Sequence, residues 1–170
     1  MGTRCFIARK TGDDRYRSIY CQLDGYPEET GRLLAEHYNT PEKLEALLKL
    51  GDIYRLGEKL EPDPAKPHHE GKQYQKGVTI AYARDMDETE WAAKDRTMEE
   101  MMESEEGPEF IYVFTARAGW EFSSLCSYDA RFKSLCDYLA SPDKEPEEDK
   151  REDMEESCEP GENFGQSLTM

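Results

Sequence analysis

The strongest constraint on this chain is its charge, which is concentrated rather than spread. Residues 87–109 carry ten acidic and two basic side chains, and residues 141–170 carry eleven and three. The other 17 acids and 17 bases cancel, so these two segments hold the whole formal charge of −16. The second block has Pro142, Pro146 and Pro160 and almost no apolar residue before Phe164. Such a stretch buries too little surface to offset its ordering entropy and reads as a disordered acidic tail, 141–170. Residues 1–140 then make a single domain, long enough to bury roughly two thirds of its unfolded surface.

Phosphate and anionic lipid are contacted through Lys and Arg, so a balanced domain with two acidic blocks argues against direct nucleic-acid or membrane-surface binding. No apolar run approaches the roughly 18–20 residues of a membrane span. A charged-then-apolar leader pattern is absent as well, which predicts a cytoplasmic protein. The cysteines, Cys5, Cys21, Cys126, Cys136 and Cys158, are odd in number and widely spaced. With no Cys-x-x-Cys among them they read as reduced thiols. Cys5, Cys21 and Cys136 fall among apolar neighbours in strand or helix patterns, which predicts that they are buried.

Thr3–Arg9 and Tyr16–Leu23 read as a hairpin around the turn residues Thr11 to Asp14. In the second strand Arg17, Ile19, Cys21 and Leu23 share one face, and Tyr16, Ser18, Tyr20 and Gln22 the other. A helix begins near Pro27, with Leu33, Leu34, His37 and Tyr38 as its apolar stripe. Thr40-Pro41-Glu42 opens a second helix, with Leu44, Leu47 and Leu48 as its buried face and Gly51 as its stop. Ile53, Leu56 and Leu60 suggest a further short turn on the same core. A polar loop, 61–76, leads to a third strand, Val78–Ala83. Asp87 and Glu90 resemble a capping box, predicting a helix to about Ser104. Phe110–Thr115 and Trp120–Leu125 read as a late hairpin, and Tyr128, Phe132, Leu135, Cys136 and Leu139 as a last amphipathic helix. The expected architecture is α+β: about five antiparallel strands with helices packed on one face, plus the tail.

Motifs for catalysis are lacking. His68-His69-Glu70 lies in a Pro-rich loop without further ligands at metal-binding spacing, so a solvated pair is expected. Ser123, Ser124 and Ser127 lack a Gly-x-Ser-x-Gly elbow, and no phosphate-cradling glycine loop occurs. No cofactor or metal is expected, and the chain does not read as an enzyme. Two groups remain as candidate binding residues. The first is the acidic row Glu88, Glu90, Glu99, Glu100, Glu103, Glu105 and Glu106. Carboxylates this dense repel one another, and a row of them can imitate a nucleic-acid backbone in a basic groove. The second is the loop of Tyr20, Gln22, Asp24, Tyr26, Glu28 and Glu29, where aromatic, amide and acidic groups suit a base or a cationic partner.

The blocks Met-Gly-Thr-Arg-Cys-Phe-Ile-Ala (1–8), Tyr-Cys-Gln-Leu-Asp-Gly-Tyr-Pro (20–27) and His-Tyr-Asn-Thr-Pro-Glu-Lys (37–43) stand in this order. The chain thereby resembles a group of small proteins encoded by bacteriophages, prophages and other mobile elements, over roughly residues 1–60 and more weakly in the late hairpin. The resemblance implies a protein made inside a bacterial cell, and small acidic phage proteins are often inhibitors of host defence. The expected function is blockade of a host nucleic-acid-binding defence complex, in the manner of an anti-CRISPR protein or DNA mimic. The partner would be a bacterial protein or ribonucleoprotein with a basic groove, with the oligomeric state open. The alternatives are a nucleotide-sequestering sponge that uses the Tyr20–Tyr26 loop with Arg4 and Arg17, and a small hydrolase.

Overall fold

The computed structural model describes residues 2–69, 73–88 and 91–140. The expected disorder of 141–170 and the positions Glu70, Glu90 and Cys158 lie outside the described residues. Among the described residues the fold is α+β, with a mixed open sheet of eight strands and five short helices.

β1 (Cys5–Gly12) and β2 (Arg15–Cys21) pair antiparallel from Cys5 opposite Cys21 to Lys10 opposite Tyr16. Their turn is closed by Asp14 in the left-handed region at φ 48°, which a short polar side chain tolerates better than most. A wide turn, Pro27–Gly31, runs into α1 (Arg32–His37), and α2 (Pro41–Lys49) follows. The Thr40 hydroxyl accepts the Lys43 N–H at 3.2 Å, and Leu44, Leu47 and Leu48 are buried. Here the helix signals of the sequence match the structure closely.

Elsewhere the expected layout needs correction. Ile53 belongs to a strand, β3 (Ile53–Arg55), rather than a turn. The third expected strand shrinks to β4 (Ile80–Ala81), because the chain winds at once into α3 (Tyr82–Asp85) and the Asp85 carboxylate accepts the Ala81 N–H at 2.8 Å. The helix expected from Asp87 to Ser104 does not form. Asp87 is left-handed at φ 56°, and Lys94–Arg96 form β5, pairing antiparallel with Tyr16–Ser18 of β2. Only α4 (Met98–Met102) is helical. β6 (Phe110–Thr115) and β7 (Gly119–Ser124) make the late hairpin as expected. The helix expected from Tyr128 is replaced by a loop, then β8 (Lys133–Ser134) and α5 (Leu135–Ala140). Tyr128 is fully exposed, and Cys136 is exposed rather than buried.

The sheet order is β4-β3-β2-β1-β6-β7-β8, with β5 beside β2. It is not all antiparallel, because β1 runs parallel to β6 and β2 parallel to β3. The physical reason lies in β1 itself. Cys5, Phe6, Ile7 and Ala8 are all fully buried, and strands covered on both faces are typical of parallel pairing. Helices accordingly lie on both faces, not one. Cys5, Ile7, Ile19, Cys21, Tyr112, Phe114, Trp120 and Phe122 pack with the leucines of α1 and α2 and Leu135 of α5. Phe6, Ala8, Tyr16, Tyr20, Ile111 and Val113 pack on the other face around Met101 of α4. No helix among the described residues is long and apolar enough to cross a membrane.

Candidate functional site

Among the described residues, the cap on that second face carries a dense run of acids. Its helix starts at a capping box that the sequence reading placed ten residues too early. The Thr97 hydroxyl accepts the Glu100 N–H at 3.1 Å, and the Thr97 N–H donates to Glu100 Oε1 at 2.8 Å. Both groups satisfy donors that a helix start leaves open. The Met98 N–H donates to Asp14 Oδ1 at 3.0 Å, which ties the start of α4 to the β1–β2 turn. Met98 and Met101, three apart, face the sheet, and Met101 is fully buried.

That seating forces the acids outward. Glu99, Glu100, Glu103, Glu105 and Glu106 are all exposed. Thr97, Glu99, Glu100, Glu103, Ser104 and Glu105 line a shallow depression open to solvent. The Ser104 hydroxyl donates to Glu106, which orders the turn after α4. Among the described residues, none of these five carboxylates has a Lys, Arg or His partner within ion-pair distance. Glu99 and Glu100 sit favourably at the positive end of α4, whereas Glu103 lies at its negative end. Glu88 is not part of this group; it lies in the turn after α3, with its N–H on the Tyr82 carbonyl. Glu90 is outside the described residues.

The second candidate group is drawn apart by the fold. The Tyr20 hydroxyl donates to Gln22 Oε1 at 2.6 Å, and the ring meets Phe6 edge-on at 5.9 Å, on the α4 side of the sheet. Tyr26, 47% exposed, tilts against Phe110 at 6.5 Å on the opposite side. Asp24 pairs with Arg55 at 3.3 Å, Glu28 accepts the Tyr138 hydroxyl at 3.0 Å, and Glu29 is exposed, its N–H on the Tyr26 carbonyl. Strand alternation likewise sends Arg4 and Arg17 to different faces. The two tyrosines therefore do not face a common ligand.

Two polar clusters escaped the sequence reading. His68 is not solvated: its side chain is 2% exposed, and Nε2 lies 3.3 Å from Asp85 Oδ2. Its Nδ1 accepts the Gln75 N–H at 3.0 Å, so both ring nitrogens are engaged. Arg84 grips both Asp85 oxygens, at 2.8 and 2.9 Å, and donates to the Leu60 and Thr79 carbonyls. The adjacent Arg-Asp pair was the available signal. Asp52 is the second. It is buried and its Oδ1 accepts the Tyr20 N–H at 2.9 Å. Close by, Arg96 donates to Ser18 and lies 4.6 Å above the Phe6 ring. No group of three His, Cys, Asp or Glu among the described residues is arranged to hold a metal ion.

Burial pushes the Asp52 carboxyl above its ordinary range, opposed by the Tyr20 N–H and by Arg96 and Lys94. A carboxyl that ionises later when folded stabilises the fold only while protonated. That contribution is complete below an unfolded pKa of about 4 and fades as pH rises through the folded value. Asp52→Asn keeps an oxygen for the Tyr20 N–H and has no such loss. In urea melts between pH 4 and 7, the stability of the variant minus that of the parent is expected to grow with pH. A flat difference would count against burial as the governing cause.

No family model matches the chain, and no curated protein or solved structure is detectably similar to it.

Proposed function

We propose that the protein is a non-enzymatic, phage-type inhibitor that acts inside the bacterial cell. It sets the acidic face of α4 and the following turn into the basic groove of a nucleic-acid-binding defence complex, such as a CRISPR effector. One observation carries the reading: five exposed carboxylates in residues 99–106, none with an ion-pair partner among the described residues, on a short helix and its following turn, seated by a capping box and a buried methionine. Glu99, Glu100 and Glu103 fall within about 6 Å of helix axis, or roughly one charge per 2 Å against roughly one per 1.7 Å of duplex DNA. A surface selected for stability alone would intersperse Lys and Arg, since like charges at this spacing are unfavourable. The capping box fixes the backbone that carries these carboxylates, so binding pays to order side chains and not the helix. Attraction of this kind weakens as salt rises.

The test is a plaque assay on a bacterium whose CRISPR immunity targets the infecting phage. Expression of the chain is expected to restore plaques, and E99K/E103K/E105K to abolish that effect while melting within about 3 °C of the parent, as exposed substitutions do. Glu100 is left in place because it closes the capping box. Full protection by the triple variant would remove α4 as the contact. Failure of the parent against such a system would remove that system as the target.

A further inference from the structure

Cys5 and Cys21 stand directly opposite each other in the β1–β2 ladder, at the centre of the sheet, and both are fully buried. They share the face packed by α1 and α2, and the Cys21 thiol donates to the Leu23 carbonyl at 3.4 Å. Directly opposed residues of an antiparallel pair have Cα atoms about 4.5 or 5.5 Å apart, and both separations fall within the roughly 4.4–6.8 Å that a disulfide spans. The two free thiols are walled in. A Cβ at Gly25 would come within 3.1 Å of the Cys5 Cβ, and the Tyr112 hydroxyl pins the Gly25 carbonyl at 2.6 Å. Burial also holds the Cys5 thiol well above its usual range, so its thiolate is scarce while the domain is folded.

We propose that Cys5 and Cys21 form a latent redox latch: two packed thiols in the reduced fold, joined as a cross-strand disulfide when an oxidant meets the hairpin open. With a low-molecular-weight disulfide such as oxidised glutathione, one cysteine thiolate attacks and one glutathione thiolate leaves. The second cysteine thiolate then attacks the mixed disulfide, its S–S bond breaks and a second glutathione departs. Two cysteine S–H bonds are lost, one S–S bond forms, and the electron pair and both protons end on the two glutathiones. Once the hairpin closes, the same burial that slows oxidation shields the bond from reductant.

The experiment uses the full chain as C126S/C136S/C158S, leaving the pair as its only thiols, with oxidised glutathione as probe. Refolding from urea in its presence is expected to give a product about 2 Da lighter than the reduced chain, without bound glutathione. Closing a loop of this length should raise the melting temperature by roughly 10 °C. Incubation of the folded protein should leave both thiols intact over the same period, with oxidation accelerating as urea populates the open state. Adding Cys5→Ala should abolish both the mass change and the melting shift, which separates pairing from any other effect of the oxidant. Two glutathione adducts in place of a pair, or equally rapid pairing in the folded protein, would overturn the proposal. So would a paired form that melts no higher than the reduced one.

Discussion

Asp85→Ala is expected to cost about 3–5 kcal/mol, the range for removing one partner of a buried ion pair. The Arg84 guanidinium and the Ala81 N–H lose their acceptor together, and the His68 ring loses a carboxylate neighbour while keeping the Thr79 carbonyl at 3.2 Å. Arg84 keeps the Leu60 and Thr79 carbonyls, but its charge is left uncompensated in a partly buried site. Because His68 and Arg84 tie Leu60, His68 and Gln75 to the β4 edge, the loss should appear first as proteolysis around those residues. Thermal melts should show a fall of roughly 10–20 °C for a domain of this size. Asp85→Asn retains an acceptor for Ala81 and should fall between parent and Ala variant. If Ala and Asn destabilise equally, the charge on Asp85 is not what holds the loop; a drop under 3 °C for both would mean that the network contributes little.

Gly51→Ala should be at least as disruptive, for two separable reasons. Gly51 sits at φ 81°, where an L side chain is strained by roughly 1–2 kcal/mol. A Cβ there would also lie 2.2 Å from the Trp91 carbonyl oxygen, a backbone atom that accepts the Asp52 N–H at 2.6 Å. Relief requires the 91–96 segment to move off β2, at a total cost of roughly 3 kcal/mol or more once that hydrogen bond is lost. Trp91 stacks on Tyr82 at 4.4 Å, so its emission should shift red even in the folded variant. Gly119 isolates the first cause, since it is at φ 75° with nothing within 4 Å of its Cβ position. Gly119→Ala should cost only about 1–2 kcal/mol. Equal effects at the two glycines would show that the Trp91 contact is not limiting. Since β5 leads directly into α4, the proposed inhibitory role carries the further expectation that Gly51→Ala weakens plaque restoration and Gly119→Ala spares it.

The two hairpins and α2 were legible because their signals are local. Thr40-Pro41-Glu42 and the alternation from Tyr16 to Leu23 need no distant partner to be read. The acidic segment was misread because it contains two cap signals, Asp87 with Glu90 and Thr97 with Glu100. The choice between them was made by the open edge of β2, some 78 residues away, which captures Lys94–Arg96. Tyr128 and Phe132 have helical spacing, but Ser127 and Asp129 fold back on the backbone and Arg131 clasps Asp129. His68 looked solvated because composition describes its loop and not the Arg84–Asp85 pair that draws the ring inward. The outward acids themselves were legible; which of them share a surface was not, because that depended on where the helix begins.

The floor beneath α4 has an order of manufacture. Phe6, Ala8, Tyr16 and Tyr20 are synthesised well before Met101, whereas Ile111 and Val113 follow it. Domains are made from the N-terminus onward at about 5–20 residues per second, so for a short interval residues 97–106 precede half of the surface that seats them. A chain interrupted before β6 would carry every one of these carboxylates without the surface that aligns them. The negative face is thus a product of completion: its alignment depends on the last strand of its floor, β6, docking beside the first, β1.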